Sequence, residues 1–208
     1  MGQVATVKTP LSAAQALGSV LAAAPGLSRT ALDMIAAQSA VETAAWKAMN
    51  NYNFGNVTPT QSQLAAGVPW MDQGIHGMKY IAFPDPVSGA QAMLGWLSSH
   101  GLLAYAQNGD LDGYMAKLRA GCYLGCIGNT DPTGHTVSQT DYDNYRAGIA
   151  SYMSKLSGVT PVTPPMPVAT SLPSTVPPWL VALGILGAGA AAGYVLAETR
   201  FGRRLLTA

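Results

Sequence analysis

Charge is scarce in this chain. Of 208 residues only 10% are Asp, Glu, Lys or Arg, and the two signs nearly cancel to a formal net charge of +1. A near-neutral chain without a basic run lacks the electrostatic footprint that phosphate contacts require, so nucleic acid is not an expected partner. Cysteine is scarcer still, with Cys122 and Cys126 alone in a Gly-rich stretch. They fit either a small local disulfide or two reduced thiols. A C-x3-C pair with only His76, His100 and His135 elsewhere does not have the ligand density of a structural zinc site. No Gly-rich phosphate loop is present, and no histidine has a Ser or Cys partner in a recognised nucleophile motif, so neither metal nor cofactor is expected. Glutamate is the rarest acid: Glu42 and Glu198 are the only two, and Glu198 lies beyond an apolar run near the C-terminus. Any glutamate-dependent chemistry in the globular part therefore falls to Glu42.

The chain divides into two compositional regimes. Residues 1–158 carry eight Lys/Arg and nine Asp/Glu, and from Leu156 to Ala197 no charged side chain occurs. In 159–178, Pro161, Pro164, Pro165, Pro167, Pro173, Pro177 and Pro178 fix φ and remove backbone donors, which predicts an extended spacer. Its reach is on the order of 60 Å at ~3.1 Å per residue. Residues 179–197, from Trp179 to Ala197, form an uninterrupted apolar run near the ~20 residues a membrane-crossing helix needs. Trp179 and Tyr194 sit toward its ends, and Arg200, Arg203 and Arg204 in the basic tail 198–208 predict a cytoplasmic C-terminus. The alternative is a buried C-terminal hairpin of a soluble protein. Gly189 and Gly193 have the spacing of a small-residue motif for helix association. At the N-terminus, Leu11, Ala14, Leu17, Val20 and Leu21 follow helical spacing, so neither a signal peptide nor lipidation at Gly2 is expected.

Residues 1–158 read as mostly α. Helices are predicted near 12–24, 29–49, 88–100, 111–120 and 141–156, with Pro25-Gly26, Asn50 to Asn56 and Pro84-Asp85-Pro86 marking the gaps. Residues 56–83 carry Pro59, Gly67, Pro69, Gly74 and Gly77 among short apolar runs, which predicts a small loop-rich or β lobe. On the second helix, Ile35, Gln38, Ser39, Ala45 and Trp46 fall three, four or seven positions from Glu42 and share its face. A carboxyl held against Trp46 and small apolar groups would lose hydration and keep its proton toward neutral pH, as a general acid must. The competing reading is an ordinary solvated helix-surface glutamate.

The run Ala37-Gln-Ser-Ala-Val-Glu-Thr-Ala-Ala-Trp46, followed by Asn50-Asn-Tyr-Asn-Phe-Gly55, resembles the signature of the glucosaminidase family in the lysozyme superfamily, which includes flagellar and autolytic peptidoglycan hydrolases. Looser similarities lie in Phe83-Pro-Asp-Pro-Val-Ser-Gly89 with the following helix, and in Gly121-Cys-Tyr123 with Tyr142 and Tyr145 downstream. Together these cover residues 10–156. The resemblance implies a lysozyme-like domain that cleaves β-1,4 bonds of peptidoglycan glycan strands with Glu42 as acid. It implies that Trp46, Asn51, Tyr52, Asn53 and Phe54 shape the groove beside it, and that Tyr123 and Tyr142 line it. The family often places a second carboxylate some thirty residues later. Asp72 has that offset and Asp85 is the next candidate, and either could be a solvated loop residue. Two carboxylates would suit hydrolysis, whereas the acid alone would leave the substrate's own 6-hydroxyl or acetamido group to complete a transglycosylation. The expected location is membrane-anchored with the enzyme domain outside the cytoplasm, in a cell envelope or a phage virion. A non-catalytic glycan-binding or structural module is the competing class.

Overall fold

The computed structural model describes residues 2–72, 78–130 and 135–164, and this part is mostly helical. Helix α1 (Ala13–Ala23) starts at a capping box in which Ser12 and Gln15 satisfy each other's backbone donors. Helix α2 (Arg29–Glu42) starts where the Ser28 side chain accepts from the Ala31 amide. Every residue from Ala31 to Val41 is buried, which marks α2 as the central helix, sheathed on all sides. Alanine and serine at Ala36, Ala37, Ser39 and Ala40 allow that close wrapping. Helix α7 (Gln139–Leu156) packs most extensively against α2, helped by Gly148, where a Cβ would stand 3.2 Å from Val41. Helix α1 covers another side of α2, and α5 (Leu103–Gln107) a third. Helix α4 (Pro86–Ser99) lies on α1, and α6 (Leu111–Ala120) packs against α5 and α7.

The smaller lobe contains the short helix α3 (Gln61–Ala65) and an antiparallel ribbon of β1 (Trp70–Asp72) and β2 (Lys79–Ile81), with Met71 opposite Tyr80 and Asp72 opposite Lys79. The N-terminal segment lies along the ribbon's edge: Gln3 bridges Trp70, and Val4 donates to the Trp70 carbonyl. Val68, Ile81 and Phe83 form a separate apolar cluster with Ala92 of α4, which fixes this lobe to the helical body.

Three sequence expectations change. Helix α2 ends at Glu42 rather than near Met49, because Ala44, Ala45 and Trp46 all adopt left-handed backbone with φ of 50°, 54° and 61°. Two short helices, α3 and α5, appear where no periodicity marked them. The folded body also runs past residue 158. The Arg29 guanidinium donates to the Leu156 and Val159 carbonyls at 2.5 and 2.9 Å, and Val162 donates to the Ala14 carbonyl at 3.0 Å. This strap lies so close to α1 that a Cβ on Gly18 would stand 1.7 Å from the Val162 carbonyl oxygen. The first residues of the Pro-rich segment, to the buried Pro164, are thus part of the domain's surface. The rest of the spacer, the apolar run 179–197 with Gly189 and Gly193, and the tail 198–208 lie outside the described residues. Among the described residues no helix is long and apolar enough to cross a membrane.

Candidate active site

Glu42 is the last residue of α2, and the backbone geometry after it is unusual. Left-handed backbone costs a non-glycine residue roughly 1–2 kcal/mol, and three such residues follow in succession at Ala44, Ala45 and Trp46. The turn is held by a bond from the Ala45 amide to the Ala40 carbonyl (2.8 Å), by the Thr43 hydroxyl donating to the Ser39 carbonyl (2.6 Å), and by the Trp46 amide donating to the Thr43 hydroxyl (3.1 Å). Strain of this kind persists where the surroundings over-determine it, and it concentrates at functional sites. Here it stops the helix with the acid at its tip and turns the chain away, leaving the carboxyl to groups from elsewhere.

Those groups come from three distant segments. Tyr145 of α7 and Tyr123, after α6, both donate their hydroxyls to Oε1 of Glu42, at 2.5 and 2.9 Å. Asn56 donates its amide to Oε2 at 3.1 Å and to the Glu42 carbonyl oxygen at 3.3 Å. Behind this first ring, buried Tyr114 donates to the side-chain oxygen of buried Gln38, one turn before Glu42 on α2. Glu42 retains some solvent exposure as a residue, yet its carboxyl is packed closely enough that burial raises its pKa above the ordinary 4.5. The bonds from Tyr145, Tyr123 and Asn56, in that order, pull the other way without cancelling the rise. Burial, with the Glu42 charge as a second cause, also pushes the hydroxyls of Tyr80, Tyr114, Tyr123 and Tyr145 upward, so these phenols remain donors.

The geometry distinguishes the two carboxyl oxygens. Oε1 accepts two phenolic hydrogens, which occupies both lone pairs of a carbonyl-type oxygen. The acidic proton of the neutral form therefore belongs on Oε2, whose other contact is the Asn56 amide. When that proton leaves, the charge that develops is met by three donors already in place, the arrangement that lowers the cost of ionisation in the transition state.

The residues expected around Glu42 separate into three groups. Tyr123 touches it directly. Trp46, Asn53 and Phe54 instead hold the turn together: the Trp46 indole donates to Ser39 Oγ (3.2 Å), Ser39 Oγ donates to the Phe54 carbonyl (2.8 Å), and Asn53 binds the backbone of Val57 and Ile81. The Trp46 ring is thus pinned at Ser39, and the groups bonded to the carboxyl are Tyr145, Tyr123 and Asn56. Asn51 clamps the N-terminal segment through Ala5 and Val7, and the Tyr52 amide donates to Thr9 Oγ1. The Tyr52 carbonyl lies so close to α4 that a Cβ on Gly89 would stand 1.8 Å from it.

A third group makes other contacts. The Tyr142 hydroxyl donates to the Gly125 carbonyl and accepts from the Leu124 amide, so it braces the loop after α6. Asp72 is exposed at the end of β1, and alternation along the strand puts it on the ribbon face opposite Met71 and Tyr80. Asp85 caps α4 by accepting from the Ser88 amide (2.9 Å) and hydroxyl (2.6 Å). Among the described residues the side chains that bond to the Glu42 carboxyl are Tyr145, Tyr123 and Asn56, and no cluster of His, Cys, Asp and Glu is arranged to hold a metal ion.

Asn56 and Tyr145 are the acid's partners that sequence reasoning did not select. Tyr145 lies three residues from Tyr142 on α7, one turn further along the face that meets α2, and Asn56 is the final asparagine of the Asn-rich turn. Cys122 and Cys126 form a disulfide, which closes a short ring around Tyr123 and Leu124. No protein family, curated protein or solved structure matches this chain.

Proposed function

We propose that this protein is a glycosidase that cleaves β-1,4 bonds of peptidoglycan glycan strands with Glu42 as general acid. The observation that carries the reading is a lone carboxyl at the tip of a buried helix, with its pKa raised by burial and three neutral donors aimed at it. The similarity of the Glu42 segment and the Asn-rich turn to glucosaminidases supports it, as does a helical body packed beside a small hairpin lobe, the arrangement expected of a lysozyme-like domain.

In this mechanism Oε2–H passes its proton to the glycosidic oxygen as the C1–O bond breaks, giving a free 4-hydroxyl on the leaving strand and oxocarbenium character at C1. Tyr145, Tyr123 and Asn56 hold the carboxylate that forms. The same carboxylate then takes a proton from the incoming nucleophile. With water as nucleophile the product is a reducing sugar. Among the described residues the side chains acting on Glu42 are two phenols and an amide, which favours a further reading, in which the substrate's 6-hydroxyl attacks C1 and leaves a 1,6-anhydro end. The apolar run 179–197 and the Pro-rich segment support a tethered enzyme acting beside a membrane, in a cell envelope or a phage particle.

The test is loss of turbidity of purified peptidoglycan by the detergent-solubilised full chain beside Glu42→Gln. Cleavage by the parent and none by a folded variant is expected, and equal rates in both would remove Glu42 from the mechanism. Mass spectrometry of the fragments separates reducing from anhydro ends.

A further inference from the structure

Tyr114 is a buried phenol that the proposed proton transfer leaves without a role. It stands on α6 and donates its hydroxyl to the side-chain oxygen of Gln38, itself buried on the central helix α2. Gln38 lies four residues before Glu42, so the two share one face of that helix. Two apolar side chains of the same shape would fill this space about as well as a bonded polar pair. Packing alone therefore does not account for a phenol and an amide here.

The pair meets the acid through Tyr123. Burial, then the Glu42 charge and bond, raise the Tyr123 pKa, and the side chains of Tyr145 and Gln38, in that order, pull it back. A side chain that lowers a phenol's pKa turns hydrogen rather than a lone pair toward its oxygen, so Gln38 faces Tyr123 with its amide hydrogens. The other end of that amide, its oxygen, is taken by Tyr114. This arrangement directs a hydrogen. Tyr123 has one to donate, Glu42 Oε1 lies 2.9 Å from its oxygen, and an NH2 group cannot accept. The Tyr123 hydrogen therefore goes to Glu42. Were the Gln38 amide to turn over, its oxygen would compete for that hydrogen, and the carboxylate would lose one of its donors.

We infer that Tyr114 is a positioning residue for the acid: by holding the Gln38 oxygen it points the amide hydrogens at Tyr123, and so keeps the Tyr123 hydrogen on Glu42 Oε1. The inference rests on the reading of Glu42 as a proton donor and adds a control over that donor from α6, exerted through two other side chains. Among the described residues the titratable groups that act on or respond to Glu42 are the phenols of Tyr80 on β2, Tyr114 on α6, Tyr123 after it and Tyr145 on α7, all pushed upward by burial. They stay protonated while Glu42 titrates, so redirecting one hydroxyl is read at Glu42 itself.

The experiment reads Glu42 without substrate. Glu42 and Glu198 are the only glutamates, so the detergent-solubilised full chain labelled with carbon-13 at the glutamate δ-carbon shows two titrating carboxyl signals by NMR, and Glu42→Gln identifies which belongs to Glu42. Tyr123→Phe should raise the Glu42 pKa by about one unit, the full loss of a phenol donor to a carboxylate. Tyr114→Phe should raise it by roughly half as much, because the freed Gln38 oxygen then competes for the Tyr123 hydrogen. Two further variants separate this from loosened packing. Added to Tyr123→Phe, which has no hydrogen to redirect, Tyr114→Phe should move the value no further. Gln38→Met combined with Tyr114→Phe removes both ends of their bond, and should hold the value within about 0.3 unit of the wild type. An unmoved signal in Tyr114→Phe, an equal shift with and without the Tyr123 hydroxyl, or a full one-unit rise in the Gln38→Met pair overturns the inference; the pair carries the test by itself if Tyr114→Phe does not fold. In each of these cases a wild-type chain that clears peptidoglycan leaves the glycosidase reading standing. The expected shifts in a chain that cleaves no glycan would instead keep the positioning and remove the glycosidase.

Discussion

Tyr145→Phe tests the balance at Glu42 most directly. Tyr145 makes the shorter of the two phenol contacts to Oε1, 2.5 Å against 2.9 Å for Tyr123, and it is the foremost of the interactions that oppose the raised pKa. Removing its hydroxyl takes a donor from the carboxylate and from the neutral acid alike, but the anion loses more. A hydrogen bond to a charged group is worth about 1.5–3 kcal/mol and one to a neutral group about 0.5–1.5 kcal/mol, a difference of roughly 1–1.5 kcal/mol. At 1.36 kcal/mol per pH unit, this raises the pKa of the acid further by about one unit.

The direction is opposite to the usual effect of damaging a site. If kcat/KM on peptidoglycan falls on the alkaline side as Glu42 loses its proton, that limb should move to higher pH in Tyr145→Phe, even as the maximal rate drops about fivefold to tenfold for want of a donor to the developing charge. The assay is the initial rate of turbidity loss between pH 4 and pH 9. Tyr142→Phe is the matched control, three residues earlier on the same helix but bonded to Gly125 and Leu124; it should lower stability by about 1 kcal/mol and leave the limb in place. A limb that stays still or moves to lower pH in Tyr145→Phe would refute the assignment of Glu42 as the titrating acid and of Tyr145 as its anion-stabilising donor.

Other outcomes follow from the same contacts. Burial makes the folded chain hold the Glu42 proton more tightly than the unfolded chain, so this group's contribution to stability is complete below about pH 4.5 and is lost as pH rises through the folded value. Glu42→Gln should therefore melt above the wild type with a gap that widens from pH 4.5 toward pH 8, and a constant gap in calorimetry would contradict burial. Reducing the Cys122–Cys126 disulfide, or replacing both cysteines by serine, should cost about 2 kcal/mol, as a five-residue ring implies. It should also slow cleavage by loosening Tyr123; unchanged rates after thiol titration shows full reduction would separate the ring from catalysis. Gly18→Ala should push the 159–164 strap off α1 at a cost of about 1–3 kcal/mol. Faster hydrogen exchange at the Val162 amide is the readout, and unchanged exchange would mean the strap is held by Arg29 alone.

The sequence showed where the helices lie better than where they stop. Helix α6 spans Leu111–Ala120 as its periodicity indicates, and α7 begins two residues early only because Ser138 caps it through Asp141. Helix α2 is the instructive failure. Thr43-Ala44-Ala45-Trp46-Lys47 has good helical propensity, and nothing local announces three left-handed residues; they are imposed by contacts such as the bond from the Trp46 indole to Ser39. Helices α3 and α5 are five residues each, too short to show a period. Glu42 was legible because no other glutamate precedes residue 198. Its partners were not, since Tyr123 and Tyr145 stand 81 and 103 residues away and only the packing of α7 and the loop after α6 on α2 brings them together.

That distance bears on how one carboxyl can be both buried and useful. Burial alone would hold the proton and make its release costly, because the anion would form in a dry setting. A cradle of charged donors would stabilise the anion so well that the proton would already be gone near neutral pH. Phenols and an amide avoid both outcomes: they are neutral, so they do not strip the proton, and they donate, so they support the charge once it appears. Because Oε1 is occupied by two of them, the proton of the neutral acid sits on the other oxygen. The requirement for one acid in this domain then becomes a requirement for several uncharged donors around it, consistent with a site rich in tyrosine and asparagine within a chain poor in charge.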